Sequence, residues 1–187
     1  MKLTLFQTLE DRENPEHVES SGPFKCSRND AWLGEGYYFW EGHIELAHFW
    51  GRNYDRYIIC QADAVLDNNC WDLHNSAELR KEFVEILETL HAAGVINKAD
   101  ALVSQVIEFF KAKGKFNYSS IRVLGMESLS NIRANKTFIR RLKFKRNSFQ
   151  YFDLIPPVQI CLIKKNALSL HNFLIVYPSH YVDDIFA

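Results

Sequence analysis

The stretch "GEGYYFWEGHIELAHFWG", Gly34 to Gly51, decides how this chain is read. Two glycines permit a turn, and the aromatic run Tyr37 to Trp40 that follows suits a pleated, half-buried strand. Side chains alternate along a strand, so one of Tyr37 and Tyr38 belongs to the core and the other faces a cleft. After Gly42 the pattern changes. Ile44, Ala47 and the Phe49/Trp50 pair recur at helical spacing, and Gly51 suits a helix stop.

Working outward, "KLTLFQTL" alternates Leu3, Leu5 and Gln7 with Thr4, Phe6 and Thr8, the pattern of an early strand. "RYIICQADAVLD" predicts another strand. "SAELRKEFVEILETLHAAG" and "KADALVSQVIEFFKAKG" predict two helices, each running through a basic or His residue to Gly, and the first carries an apolar stripe of Leu79, Phe83, Ile86, Leu87 and Leu90. "PPVQICLI" and "NFLIVY" predict two buried strands near the C-terminus. Strands at both ends with helices between them indicate an α+β domain without repeats or linkers.

At 187 residues the chain suits one domain over residues 1–187, since such a length buries roughly 70% of the surface the unfolded chain exposes. No run of about 18 apolar residues offers a membrane span. Gln7, Thr8, Glu10 and Asp11 interrupt the N-terminal apolar residues too early for a signal peptide, and the protein is read as cytoplasmic. Cys26, Cys60, Cys70 and Cys161 lack Cys-x-x-Cys spacing and read as small apolar residues in a reducing compartment.

The net charge of −1 hides an asymmetry: Met1 to Phe109 holds 9 Lys and Arg against 19 Asp and Glu, and Phe110 to Lys165 holds 13 against 2. The positive density peaks in "RANKTFIRRLKFKRN", where Arg140, Arg141 and Lys143 are candidates to bind phosphate or a phosphate-bearing acceptor. The other reading is a solvated basic face that pairs with the acidic half of the fold.

Two familiar chemistries are excluded. His43-Ile44-Glu45 fits the His-x-Glu of zinc deaminases, but no Pro-Cys-x-x-Cys accompanies it. His43 and His48 would lie about 140° apart around a helix and could not share a metal, so no metal site is expected. Gly34-Glu35-Gly36 lacks the third glycine and the βαβ setting of a dinucleotide fingerprint.

The run Gly34, Gly36, Tyr38, Phe39, Ala47, Phe49 resembles the Gly-x-Gly-φ-Tyr-Phe and following helix of ADP-ribosyltransferases of the poly(ADP-ribose) polymerase type, including small bacterial relatives. In that family a strand ends in a tyrosine, and a second aromatic eleven residues on forms the other wall of a nicotinamide slot. Tyr38 and Phe49 have that separation. Stacking between two aromatics contributes on the order of 1 kcal/mol per pair beyond buried area. The family's first strand carries His-Gly, where this chain has Gln7 and Thr8; Gln7 can still bond a ribose hydroxyl. Its last motif is a strand bearing a catalytic Glu, and "PPVQICLIKKNALSL" offers Gln159 there.

The resemblance implies split β-sheets around a cleft, with a helical insertion over about residues 72–114, and transfer of ADP-ribose from NAD to a macromolecular acceptor, with nicotinamide released. Tyr38 and Phe49 would sandwich nicotinamide; Gln7, Thr8 and Gly36 would contact the cofactor; Gln159 would orient the nicotinamide ribose, with Tyr38 beside it as a catalytic residue. Cleavage of NAD builds positive charge at the ribose, which a carboxylate stabilises and a neutral Gln does not. Glu41, Glu45 and Asp153 are the acids that could substitute. The alternative is a non-catalytic module of the same fold that binds NAD, ADP-ribose or nucleic acid. The resemblance further implies a bacterial or phage toxin or defence effector, with an antitoxin or another protein as partner.

Overall fold

The computed structural model describes residues 1–126, 141–147 and 149–182. Among the described residues, nine strands and four α-helices follow one another as β1 (Lys2–Glu10), α1 (Pro15–Ser21), β2 (Tyr37–Glu41), α2 (Ile44–Gly51), β3 (Tyr57–Val65), β4 (Cys70–Asp72), α3 (Ala77–Ala92), α4 (Val103–Ala112), β5 (Ser120–Leu124), β6 (Arg141–Lys143), β7 (Tyr151–Asp153), β8 (Val158–Leu162) and β9 (His171–Tyr177). Seven strands form a sheet in the order β4-β5-β8-β2-β1-β3-β9, and β6 pairs with β7 separately. Only the β4–β5 pairing in the large sheet is parallel. The fold is α+β with a mostly antiparallel sheet. No helix among the described residues is long and apolar enough to cross a membrane.

The sheet is unevenly joined. β1 pairs with β3 along its whole length, from Lys2 opposite Val65 to Glu10 opposite Tyr57. Its pairing with β2 ends after Leu5 opposite Glu41 and Phe6 opposite Trp40. Beyond Phe6, then, β1 and β2 diverge, and the unit β4-β5-β8-β2 parts from β1-β3-β9 on that side.

Alternation explains the two faces. Leu3 and Leu5 of β1, Phe39 of β2, Ala62 and Ala64 of β3 and Ile160 and Leu162 of β8 point one way and pack with Ala167 and Leu168. Phe6, Trp40 and Ile59 point the other way and receive Leu46 and Ala47 of α2. Gly51 ends α2 for a packing reason, because a Cβ there would lie 2.5 Å from the Tyr57 ring.

The predicted helices α3 and α4 lie at the β4–β5 end of this second face. Leu79, Phe83 and Ile86 of α3 and Ile107 and Phe110 of α4 gather on Trp71, which is fully buried and stacks on Tyr118 at 5.6 Å and 11°. The side chain of Ser76 caps α3 by accepting from Leu79 N at 3.1 Å. The segment read as a helical insertion is therefore packed onto the sheet through an aromatic cluster.

Candidate functional site

The divergence of β1 from β2 opens a cleft of about 430 Å³. Gln7 and Thr8 reach it from β1, Tyr38 and Trp40 from β2, Trp50 from α2, Gln159 from β8, and Phe24 to Trp32 supply the facing loop. Strand order explains the convergence, since β8, β2 and β1 are successive neighbours.

Of the residues singled out in the sequence, Gln7, Thr8, Tyr38 and Gln159 border this cleft. Gln7 is buried, and its amide is committed to protein partners: Nε2 donates to Phe24 O of the facing loop at 2.9 Å and to Tyr38 O of β2 at 3.4 Å, and Oε1 accepts from Phe24 N at 2.9 Å. Thr8 Oγ1 donates to Ala47 O at 2.9 Å and so ties β1 to α2. The Tyr38 hydroxyl accepts from Leu33 N at 2.9 Å and donates to Gly34 O at 2.6 Å. Burial pushes its pKa up, so it remains a neutral hydrogen-bonding phenol.

Phe49 and Gly36 have other places. Phe49 packs in the α2 cluster with Phe6 and Trp40, and it is Trp50, the next residue, that lines the cleft. The ring of Tyr38 packs in the Trp71 cluster instead, so the two rings expected to form one slot belong to different packing groups. Gly36 sits against β8: a Cβ there would lie 2.4 Å from Cys161 Sγ and 2.8 Å from Leu162 O. Its role is close backbone approach, secured by the Cys26–Gly36 bridge.

Arg140 lies outside the described residues, and of Arg141 only the backbone, in β6, is described. Lys143 ends β6 on the β6–β7 hairpin, away from the cleft lining, beside the exposed Phe144. Cations come to the cleft from a different part of the chain, as Arg12, Lys25 and Arg28. They pair with Glu10 at 2.9 Å, Glu35 at 2.7 Å and Asp30 at 2.6 Å respectively, all on the surface. Exposed ion pairs contribute little to stability, so exchanging a carboxylate for an incoming phosphate costs little.

The acids weighed as substitutes for a catalytic Glu are placed elsewhere. Glu41 is locked to the buried Arg122 by two hydrogen bonds, at 2.7 and 2.8 Å, and Asp72 holds the same guanidinium at 3.0 Å. Glu45 is not among the cleft-lining residues, and Asp153 accepts from Ile155 N at 3.1 Å on the β7 side. Among the described residues, the carboxylates at the cleft are Glu10 and Asp30, both ion-paired. Burial raises the Cys161 thiol to about 12, which removes it as a nucleophile at neutral pH.

Gln159 differs from these committed groups. It is 5% exposed, and its Oε1 is buried with no hydrogen-bond partner among the described residues. Around it stand three tryptophans: Trp32 meets Trp50 edge to face at 5.6 Å, and Trp50 lies 6.3 Å from Trp40. The arrangement can hold a flat ring against indoles, offer it an amide, and place anionic groups among the rim cations.

Comparison with known proteins finds no match to this chain among family models, curated proteins or solved structures.

Trp50 reads from sequence as packing, because it falls within an amphipathic helical pattern. Trp32 belongs to no periodic element and gives no signal of its own. The rim cations Arg12, Lys25 and Arg28 lie within the acidic half of the chain, where a charge count averages them away.

Proposed function

We propose that this chain is an ADP-ribosyltransferase-like protein whose cleft binds NAD or its ADP-ribose portion without transferring it. The observation that carries the reading is the meeting of Gln7, Tyr38 and Gln159 at one cleft, on three adjacent strands. These are the positions at which the family resemblance implies cofactor contact. Rim cations able to exchange their carboxylates for a pyrophosphate, and indoles able to stack a base, support a dinucleotide as ligand.

Binding is favoured over transfer on electrostatic grounds. Breaking the bond between nicotinamide and ribose needs negative charge beside the developing oxocarbenium centre. The described cleft offers a neutral amide there, and its two carboxylates are neutralised by arginines. The second reading, transfer to a macromolecular acceptor, draws on Gln159 Oε1, an acceptor without a partner among the described residues that could orient a ribose hydroxyl.

Incubating the protein with NAD and following free nicotinamide by chromatography separates the two. The proposal expects NAD recovered intact from the bound fraction. Sustained release of nicotinamide above the spontaneous rate would establish transfer or hydrolysis in its place.

A further inference from the structure

Gln159 is a buried polar side chain of the cleft whose Oε1 has no hydrogen-bond partner among the described residues. It belongs to β8, every residue of which is buried, and its Oε1 is shut off from water with no donor to compensate among the described residues. A buried acceptor left without a donor is costly to the fold, and because Gln159 lines the cleft, a turn of its amide would present that oxygen to a ligand there.

The surroundings indicate what kind of ligand. A Cβ built on Gly125 would stand 3.0 Å from Gln159 Cβ, 3.5 Å from Trp32 Cζ3 and 3.6 Å from Gln159 Oε1, so the amide and the indole meet over a residue that has no side chain. A side chain at 125 would press on Gln159, so glycine lets the amide and the indole lie close together. Trp32 is 39% exposed although it lines the cleft, and it meets Trp50 edge to face at 86°. That leaves an aromatic corner able to take another ring.

A glutamine amide presents one donor end and one acceptor end in a plane, which matches a ligand edge carrying an acceptor and a donor side by side. The same pairing lets glutamine read the edge of adenine. Indoles beside the amide stack any flat ring, charged or neutral.

We propose that Trp32, Trp50 and Gln159 form a subsite for a planar heteroaromatic ring bearing an adjacent hydrogen-bond donor and acceptor, such as a ring carboxamide or a nucleobase edge. The subsite rests on the reading of this cleft as a ligand site and replaces the Tyr38–Phe49 slot as the place where the ring is held. Trp32 and Trp50 supply the walls, Gln159 reads the ring edge, and Gly125 lets Gln159 and Trp32 approach each other.

The test titrates nicotinamide, adenosine and NAD separately into the wild type and into Trp32→Ala and Gln159→Leu, reading indole fluorescence and calorimetric heat, with circular dichroism to check folding. Trp32 is surface-accessible, so its truncation keeps the fold even if Gln159→Leu does not. The expected result is that at least one free ring binds, and that each folded variant weakens it tenfold or more, while Phe49→Leu changes it less than twofold. Trp32→Ala binding the rings as tightly as the wild type overturns the subsite. NAD binding that survives both variants also overturns it and leaves the dinucleotide reading standing. A free ring that binds through Trp32 while NAD does not bind upholds the subsite and removes the dinucleotide reading. Failure of all three ligands to bind overturns both.

Discussion

Gln7 and Phe24 exchange two hydrogen bonds across the cleft, the side-chain amide of one with the backbone amide and carbonyl of the other, both at 2.9 Å. The facing loop thereby docks onto β1 just past the point where its backbone pairing with β2 ends. A glutamine performs this because it donates and accepts at once.

Gln7→Leu keeps the volume and removes both bonds. Two backbone groups of Phe24 lose their partners, and stability should fall on the order of 2 kcal/mol. Urea unfolding measures the loss. An unchanged midpoint would mean that the loop is held by other contacts.

Tyr38→Phe removes one hydroxyl that serves two backbone groups, Leu33 N and Gly34 O. We expect a loss of about 1 kcal/mol in stability. Ligand affinity should fall as well, because the loosened turn begins one residue after Trp32. Affinity equal to the wild type would disconnect this turn from the cleft.

Trp71→Ala should cost about 3–5 kcal/mol, as expected for emptying a fully buried aromatic site. Besides its ring contacts, the Trp71 Nε1 donates to Glu82 Oε2 at 2.9 Å, while Tyr118 OH holds the same oxygen at 2.8 Å. Glu82 therefore keeps one partner in the variant. Hydrogen exchange should show α3 and α4 opening before the sheet; uniform opening would contradict the view that Trp71 anchors them.

Stability should depend on pH through two histidines. Burial holds His48 and His74 below the ordinary histidine value of 6.5, so folding favours their neutral forms. For groups depressed in the folded state, the stabilisation is present above about 6.5 and is lost as pH falls through the folded values. His48 Nδ1 lies 3.0 Å from Tyr57 OH and can accept its proton only when unprotonated. Urea midpoints should stay level from pH 8 to 7 and drop toward pH 5, and His48→Gln should flatten part of that drop. A midpoint that rises on acidification would reverse the assignment.

The strands and helices that frame the cleft were legible because their patterns are strong. Leu3, Leu5 and Gln7 against Thr4, Phe6 and Thr8 gives β1, and the turn from aromatic run to helical spacing gives β2 and α2. β5 was not predicted, because its central residue is Arg122, a charge in a buried strand that makes sense only once Glu41 and Asp72 are placed beside it. α1 was missed for the opposite reason, with Val18 its single buried residue. Within the site, Gln7, Tyr38 and Gln159 were legible from motif position. The aromatic wall was not: helical periodicity marks Phe49 and Trp50 alike as inward, both pack on the Phe6–Trp40 cluster, and only the folded cleft, lined by Trp50 and not by Phe49, separates them. The rim cations escaped because folding, and not sequence proximity, brings Arg12 and Arg28 to one rim.

The most direct measurement is a calorimetric titration of the protein with NAD, repeated with Arg28→Glu. Binding of the dinucleotide in the cleft between β1 and β2 predicts saturable heat at one site per chain, with affinity at least tenfold weaker in Arg28→Glu, where a rim cation becomes an acid. No heat at any NAD concentration, or heat indifferent to the charge at residue 28, would contradict the account.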